Sequence, residues 1–120
     1  MNIELLREYC LSKKGATEGF PFDEETLVFK VMSKMFALTA LDNPTFVNLK
    51  CDPEYAIELR EEHDGVITAG FHMSKKHWNT VSIIDNLSDK LVFELIDHSY
   101  DCVVAKMTKK LRAELESLKG

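Results

Sequence analysis

The chain has 120 residues, 45% of them hydrophobic and 29% charged. That size and balance fit one ordinary globular domain with a core of its own and exclude a fibrous or disordered chain. Fifteen basic residues against twenty acidic ones leave a net charge of −5, which argues against indiscriminate polyanion binding but leaves room for a local basic face.

Residues 2–14 have Ile3, Leu6 and Cys10 on one stripe, which predicts an amphipathic helix ending near Lys13-Lys14-Gly15. Residues 17–22 predict a short strand, made irregular or placed at an edge by Pro21. Residues 27–32 alternate, with Leu27, Phe29 and Val31 on one face and Val28, Lys30 and Met32 on the other. Ser33-Lys34 is a tight connection into residues 35–41, without the usual Gly or Asn in the turn. After the turn Asp42-Asn43-Pro44, residues 46–51 alternate again, with Val47, Leu49 and Cys51 opposite Phe46, Asn48 and Lys50. Three such strands make an antiparallel meander.

Asp52-Pro53 starts a second helix, whose apolar side is Tyr55, Ala56 and Leu59. Residues 66–71 are a short apolar strand, and residues 78–84 another, with Trp78, Thr80 and Ser82 facing away from Asn79, Val81 and Ile83. Ser88 caps a long helix with a stripe of Leu91, Leu95, Ile96, Cys102 and Val103, and Thr108 restarts it with Leu111, Leu115 and Leu118 at helical spacing. The order predicts an α+β domain over residues 1–120, an antiparallel sheet packed by N-terminal, middle and C-terminal helices.

The N-terminus has neither a basic region nor an apolar stretch, so no signal peptide is expected. No apolar run approaches a membrane span. Cys10, Cys51 and Cys102 are odd in number and far apart, which suits reduced thiols in the cytoplasm.

Residues 72–79, His-Met-Ser-Lys-Lys-His-Trp-Asn, hold two of the four histidines, a lysine pair and the single tryptophan, with no acid. Lys75 and Lys76 are suited to phosphates, with His77 adding charge at lower pH and Trp78 and Asn79 shaping the loop. Large aromatics are usually mostly buried, so Trp78 is expected to plug the core while the lysines stay in water. By strand parity Lys30 and Lys50 share the solvent face of the sheet, with Lys34 at the hairpin tip. Lys106, Lys109, Lys110 and Arg112 form a further basic group, and a cap at Thr108 would set two of these lysines against the helix dipole.

His72 with His77, and His98 with Cys102, have spacings that can ligate metal, but neither pair has a second pair beside it in the sequence. Neither CxxC, HExxH, a Gly-rich phosphate loop nor a nucleophile elbow occurs. No metal, cofactor or catalytic residue is therefore expected.

The chain resembles the MmcQ/YjbR family of small bacterial proteins. The resemblance is carried by Leu27-Val28-Phe29-Lys30-Val31 with Lys34-Met35-Phe36-Ala37, and by Val47-Asn48-Leu49-Lys50-Cys51-Asp52-Pro53-Glu54. It continues through Gly70-Phe71-His72-Met73 with Lys75-Lys76-His77-Trp78-Asn79-Thr80-Val81, then Asp97-His98-Ser99-Tyr100 with Lys109-Lys110. The resemblance implies a compact α+β fold of the double-wing kind, also found in the DNA-binding domain of a phage transcription activator, and a DNA-binding label. Relatives often place glycine before the hairpin lysine, where this chain has Ser33.

The expected function is DNA binding, without catalysis, through Lys30, Lys34, Lys50, Lys75, Lys76, His77, Trp78 and Asn79, with double-stranded DNA as partner and no membrane. The alternatives are a protein-interaction module whose acidic helices meet a basic partner, which predicts an exposed apolar patch near Phe46 or Phe71, and a small-molecule pocket near His72, His77 and Tyr100.

Overall fold

The computed structural model describes every residue except Phe71, His72 and Gly120. The chain runs α1 (Ile3–Leu11), β1 (Ala16–Gly19), β2 (Thr26–Val31), β3 (Lys34–Ala40), β4 (Phe46–Lys50), α2 (Pro53–Glu62), β5 (Ile67–Ala69), β6 (Trp78–Ser82), α3 (Asp89–Ala105) and α4 (Lys109–Ser117). The strands form one antiparallel sheet in the order β1-β2-β3-β4-β6-β5. The expected three-strand meander is present, extended by β1 on one side and by the β5–β6 hairpin on the other.

Alternation decides the two faces. Leu27, Phe29, Val31, Val47, Leu49, Ile67, Val81 and Ile83 point into one core with residues of all four helices. The helices form where their caps and stripes agree. Asn2, Asp52, Ser88 and Thr108 each accept a backbone N–H of the first turn, satisfying donors that a helix start leaves open. Thr108 does restart the C-terminal helix, and Lys109 and Lys110 stand in its first turn with no acid there. The first helix stops at Leu11 rather than at residue 14, with Ser12 as its C-cap. Gly15 follows in the left-handed region (φ 71°), where a Cβ would sit 2.7 Å from the Leu115 side chain.

The β2–β3 turn consists of Met32 (φ 49°) and Ser33 (φ 68°). Two left-handed residues give the twist that a two-residue hairpin needs, even though neither is the Gly or Asn that adopts it without strain. Just beyond, the register shifts, so that Phe29 faces Ala37 while Lys30 faces Met35. Phe36 is the extra residue of the bulge. Its ring is fully buried between Phe29, at a centroid distance of 6.5 Å, and Tyr100, edge-on at 5.5 Å.

The long helix differs from its expected stripe. Its buried positions are Val92, Leu95, Ile96, Ser99 and Val103, whereas Leu91 and Cys102 are only half-buried. Ser99 takes the central place because its hydroxyl is fully used. It donates to the Phe36 carbonyl at 2.5 Å and accepts from the Lys50 N–H at 2.8 Å. Among the described residues no helix is long and apolar enough to cross a membrane.

Candidate functional site

The Ser99 hydroxyl stands where two strands part. β3 and β4 pair only through Ala37 with Leu49 and Leu38 with Asn48. One residue further, the Phe36 carbonyl and the Lys50 N–H meet the same α3 hydroxyl instead of each other. Both groups stay satisfied, so the ladder can open without leaving buried polar atoms unpaired. The mouth of this fork holds a cavity of about 280 Å³ lined by Lys34, Met35, Lys50, Trp78, Val103 and Lys106.

Three lysines thus line one cavity from three elements. Lys34 is the first residue of β3 after the strained turn, Lys50 is the last of β4, and Lys106 caps the C-terminus of α3. Lys106 sits where a helix end favours a cation. Among the described residues no carboxylate lines the cavity and none forms an ion pair with these lysines. Lys13 shows the opposite arrangement, with its ammonium 2.5 Å from Asp97 and over the rings of Tyr9 and Tyr100. Like charges gathered at one cavity attract an anion more strongly than the same charges spread over open surface.

Trp78 is 8% exposed and lies directly across from Lys50 in the β4–β6 register. Its indole is therefore a buried wall of the cavity on the outer face and, contrary to expectation, does not plug the core: strand parity turns Asn79, Val81 and Ile83 inward and leaves Trp78 outside the core cluster. Gly70 permits this, since a Cβ there would lie 2.8 Å from the Trp78 Cβ. Residues 73–77 form a turn in which Ser74 O accepts from the N–H groups of His77 and Trp78. His77 is half-buried, and its carbonyl accepts from the Cys51 N–H at 2.8 Å. Asn79 is buried on the core side, as its parity predicted. It accepts from Arg60 Nε at 2.7 Å and donates to the Ala56 carbonyl at 3.3 Å, while Arg60 Nη2 donates to the Lys75 carbonyl. Asn79 and Arg60 thus fasten the loop to α2. Asn79 offers nothing to a ligand and acts by shaping the loop. Lys75 and Lys76 are exposed on that loop.

Lys30 is on the same outer face, one strand beyond Met35. It borders a separate shallow cavity with Thr17, Glu18 and Val28, and the Glu18 carboxylate is held by Arg7. That hydrogen-bonded ion pair keeps the Glu18 carboxyl below its ordinary range. Lys30 therefore adds charge near the fork without lining it. The expected residues divide accordingly. Lys34 and Lys50 converge with the wall Trp78, Lys30 flanks them, Lys75 and Lys76 stand on the adjoining loop, and His77 and Asn79 build that loop. Lys106, Met35 and Val103 were not among the expected site residues. The basic character of Lys106 was visible, but its membership depends on the fork, which no local pattern announces.

Beside the fork, and sharing Met35 with it, runs a second cavity of about 310 Å³ whose lining is mainly apolar, from Phe22, Leu38, Phe46 and Met73 among others. Of the expected exposed apolar patch, Phe46 is half-buried in the lining of this cavity, and Phe71 lies outside the described residues.

The other candidates resolve differently. His98 Nε2 accepts from the Asp52 N–H at 3.1 Å and lies 3.4 Å from Cys102 Sγ. Among the described residues no group of three or more His, Cys, Asp or Glu is placed to hold a metal. Burial pushes the Cys51 thiol up to about 12 and raises that of Cys102, the opposite of an activated nucleophile. Tyr100 does not open onto the loop. Its ring packs on Phe36 and its hydroxyl donates to the Lys14 carbonyl at 2.6 Å. His72, the remaining member of that expected pocket, lies outside the described residues.

The YjbR family model matches residues 11–102. The uncharacterized protein YjbR of Escherichia coli K12 is 34% identical over 119 residues, covering 98% of this chain and all of that protein. The uncharacterized protein YbdF of E. coli O157:H7 is 37% identical over 92 residues, covering 76% of this chain and 75% of that protein. The crystal structure of Deinococcus radiodurans DR2400, with its DUF419 domain, superposes with a TM-score of 0.89 at 43% identity, covering 99% of this chain and 93% of that one. A crystal structure from Pseudomonas syringae superposes with a TM-score of 0.72 at 26% identity, covering 85% and 98%. The α+β architecture with a flanked antiparallel sheet is shared with the first of these along nearly the whole chain, and the chain belongs to the YjbR family.

Proposed function

We propose that the protein binds double-stranded DNA without catalysing a reaction on it, through phosphate contacts made around the fork at the open end of the sheet. The convergence of Lys34, Lys50 and Lys106 on a cavity whose described lining holds no carboxylate carries this reading. Lys30, Lys75 and Lys76 extend the same basic region. The net charge of −5 is compatible with it because many of the acids lie elsewhere. Exposed Glu54, Glu58, Glu61 and Glu62 belong to α2, whose buried side packs on the opposite, core face. Acids placed away from the fork leave that end of the molecule open to a polyanion. The proposed contacts are to phosphates, which carry no sequence information, so the binding is expected to be insensitive to sequence.

The test is fluorescence anisotropy with a labelled generic duplex at several salt concentrations. If about five phosphates are neutralised, log K should fall against log salt with a slope of roughly −4 to −5. A Lys75→Ala/Lys76→Ala variant should bind more weakly and with a flatter slope. Affinity that ignores salt, or a variant whose titration matches the unmodified chain, would remove the loop from the interface.

A further inference from the structure

DNA binding leaves one feature of the outer face without a use, the mainly apolar cavity that adjoins the fork at Met35. We infer that the two cavities together form one site for a small amphipathic anion, a phosphate monoester carrying an apolar tail, with the phosphate among Lys34, Lys50 and Lys106 and the tail along Leu38, Phe46 and Met73. This inference does not rest on DNA binding.

Three observations carry it. The first is charge. Three lysines face one cavity with no described carboxylate among them, which suits a dianionic phosphomonoester better than a singly charged carboxylate or phosphodiester. The second is proximity. The two cavities adjoin at Met35, which lines both, so a head in one and a tail in the other lie a single flexible side chain apart. The third is the lining itself. An apolar concave wall with a few converging polar groups at one end is the usual form of a small-molecule site. Met35 and Met73, unbranched and polarizable, adapt to a flexible tail. The fork keeps the charged end apart from the apolar end. Beyond Ser99 the strands separate and lysines enter, while before it Ala37 with Leu49 and Leu38 with Asn48 pair the two strands.

Octyl phosphate, kept below its micelle-forming concentration, is the probe. It is titrated into the full chain by isothermal calorimetry, with emission of Trp78, the single tryptophan and a wall of the head cavity, as a locator. Inorganic phosphate, octanoate and octanol are run alongside. Octyl phosphate should saturate at one per chain, bind at least about tenfold more tightly than inorganic phosphate because the tail leaves water, and change the Trp78 emission. Lys34→Ala/Lys106→Ala should weaken octyl phosphate by about tenfold or more. Phe46→Ala should weaken octyl phosphate while leaving inorganic phosphate unchanged. Because the ligand comparison is made on the unmodified chain, a variant that fails to fold does not shield the inference. Equal affinity for octyl phosphate and inorganic phosphate would overturn the tail, equal affinity for octanol would overturn the head, and equal affinity for octanoate would overturn the phosphate. An absence of saturable heat would overturn the site as a whole.

Discussion

The two faces of this sheet are made from the same strands and serve opposite ends. On the core face Phe29, Phe36, Val47 and Leu49 are buried against four helices, with almost no freedom to change. On the outer face Lys30, Met35, Phe46 and Lys50 are only partly buried, and the cavities open there. The core face is where folding free energy is concentrated. The outer face also buries Val28, Leu38 and Trp78, and carries its charge beside them. Ser99 is the point at which the two meet, a core residue whose hydrogen bonds open the outer surface.

The contrast can be broken most severely by cutting back an aromatic on each face. Phe36→Ala should cost about 3–5 kcal/mol of stability, because it leaves a cavity between Phe29 and Tyr100. Phe46→Ala, half-buried on the outer face, should cost about 1 kcal/mol. Urea unfolding of both variants measures the difference, and equal losses would show that the outer face is a second core. Ser99→Ala comes next. It strips the Phe36 carbonyl and the Lys50 N–H of their shared partner and should cost about 2–4 kcal/mol, with a loss of anion binding at the fork. A neutral result would mean that the two strands close up and pair directly.

A smaller, pH-dependent effect comes from the buried thiols and a phenol. Burial pushes Cys10 and Cys51 from 9.0 up to about 12, and burial with the Asp97 hydrogen bond pushes Tyr9 from 10.0 up to about 12. The unfolded chain therefore releases these protons first. Their contribution is whole below about pH 9 and is lost as pH rises toward 12. The urea midpoint should fall between pH 8 and pH 10.5, and a flat profile would contradict this. The smallest effect lies at the hairpin. Ser33→Gly should stabilise the chain by about 0.5–1 kcal/mol, because glycine adopts the left-handed turn without strain. Destabilisation would mean that Ser33 contributes a contact outweighing its strain.

Much of the architecture was legible because alternation and capping are local. Leu27, Phe29 and Val31 declared a buried face, Asp52-Pro53 and Thr108 declared helix starts, and the parity of Trp78 against Asn79 put each residue where it lies. Ser99 was not legible. A serine in a helix stripe looks like a break in the apolar pattern unless its two backbone partners, 49 and 63 residues away in sequence, are known. Lys106 was hidden for the same reason. It stood with Lys109 and Lys110 in sequence, yet the helix restart at Thr108 separates it from them and leaves it at the fork. The bulge at Phe36 was likewise silent, since residues 35–41 carry no glycine to mark it.

The central claim is that Lys34, Lys50 and Lys106 act together on phosphate. It is tested most directly by comparing the salt dependence of duplex affinity for the unmodified chain and for Lys34→Ala/Lys50→Ala/Lys106→Ala. Removing three phosphate contacts should make the slope of log K against log salt shallower by roughly 2.5–3, with the fold retained. A triple variant that keeps the original slope and affinity would contradict the account.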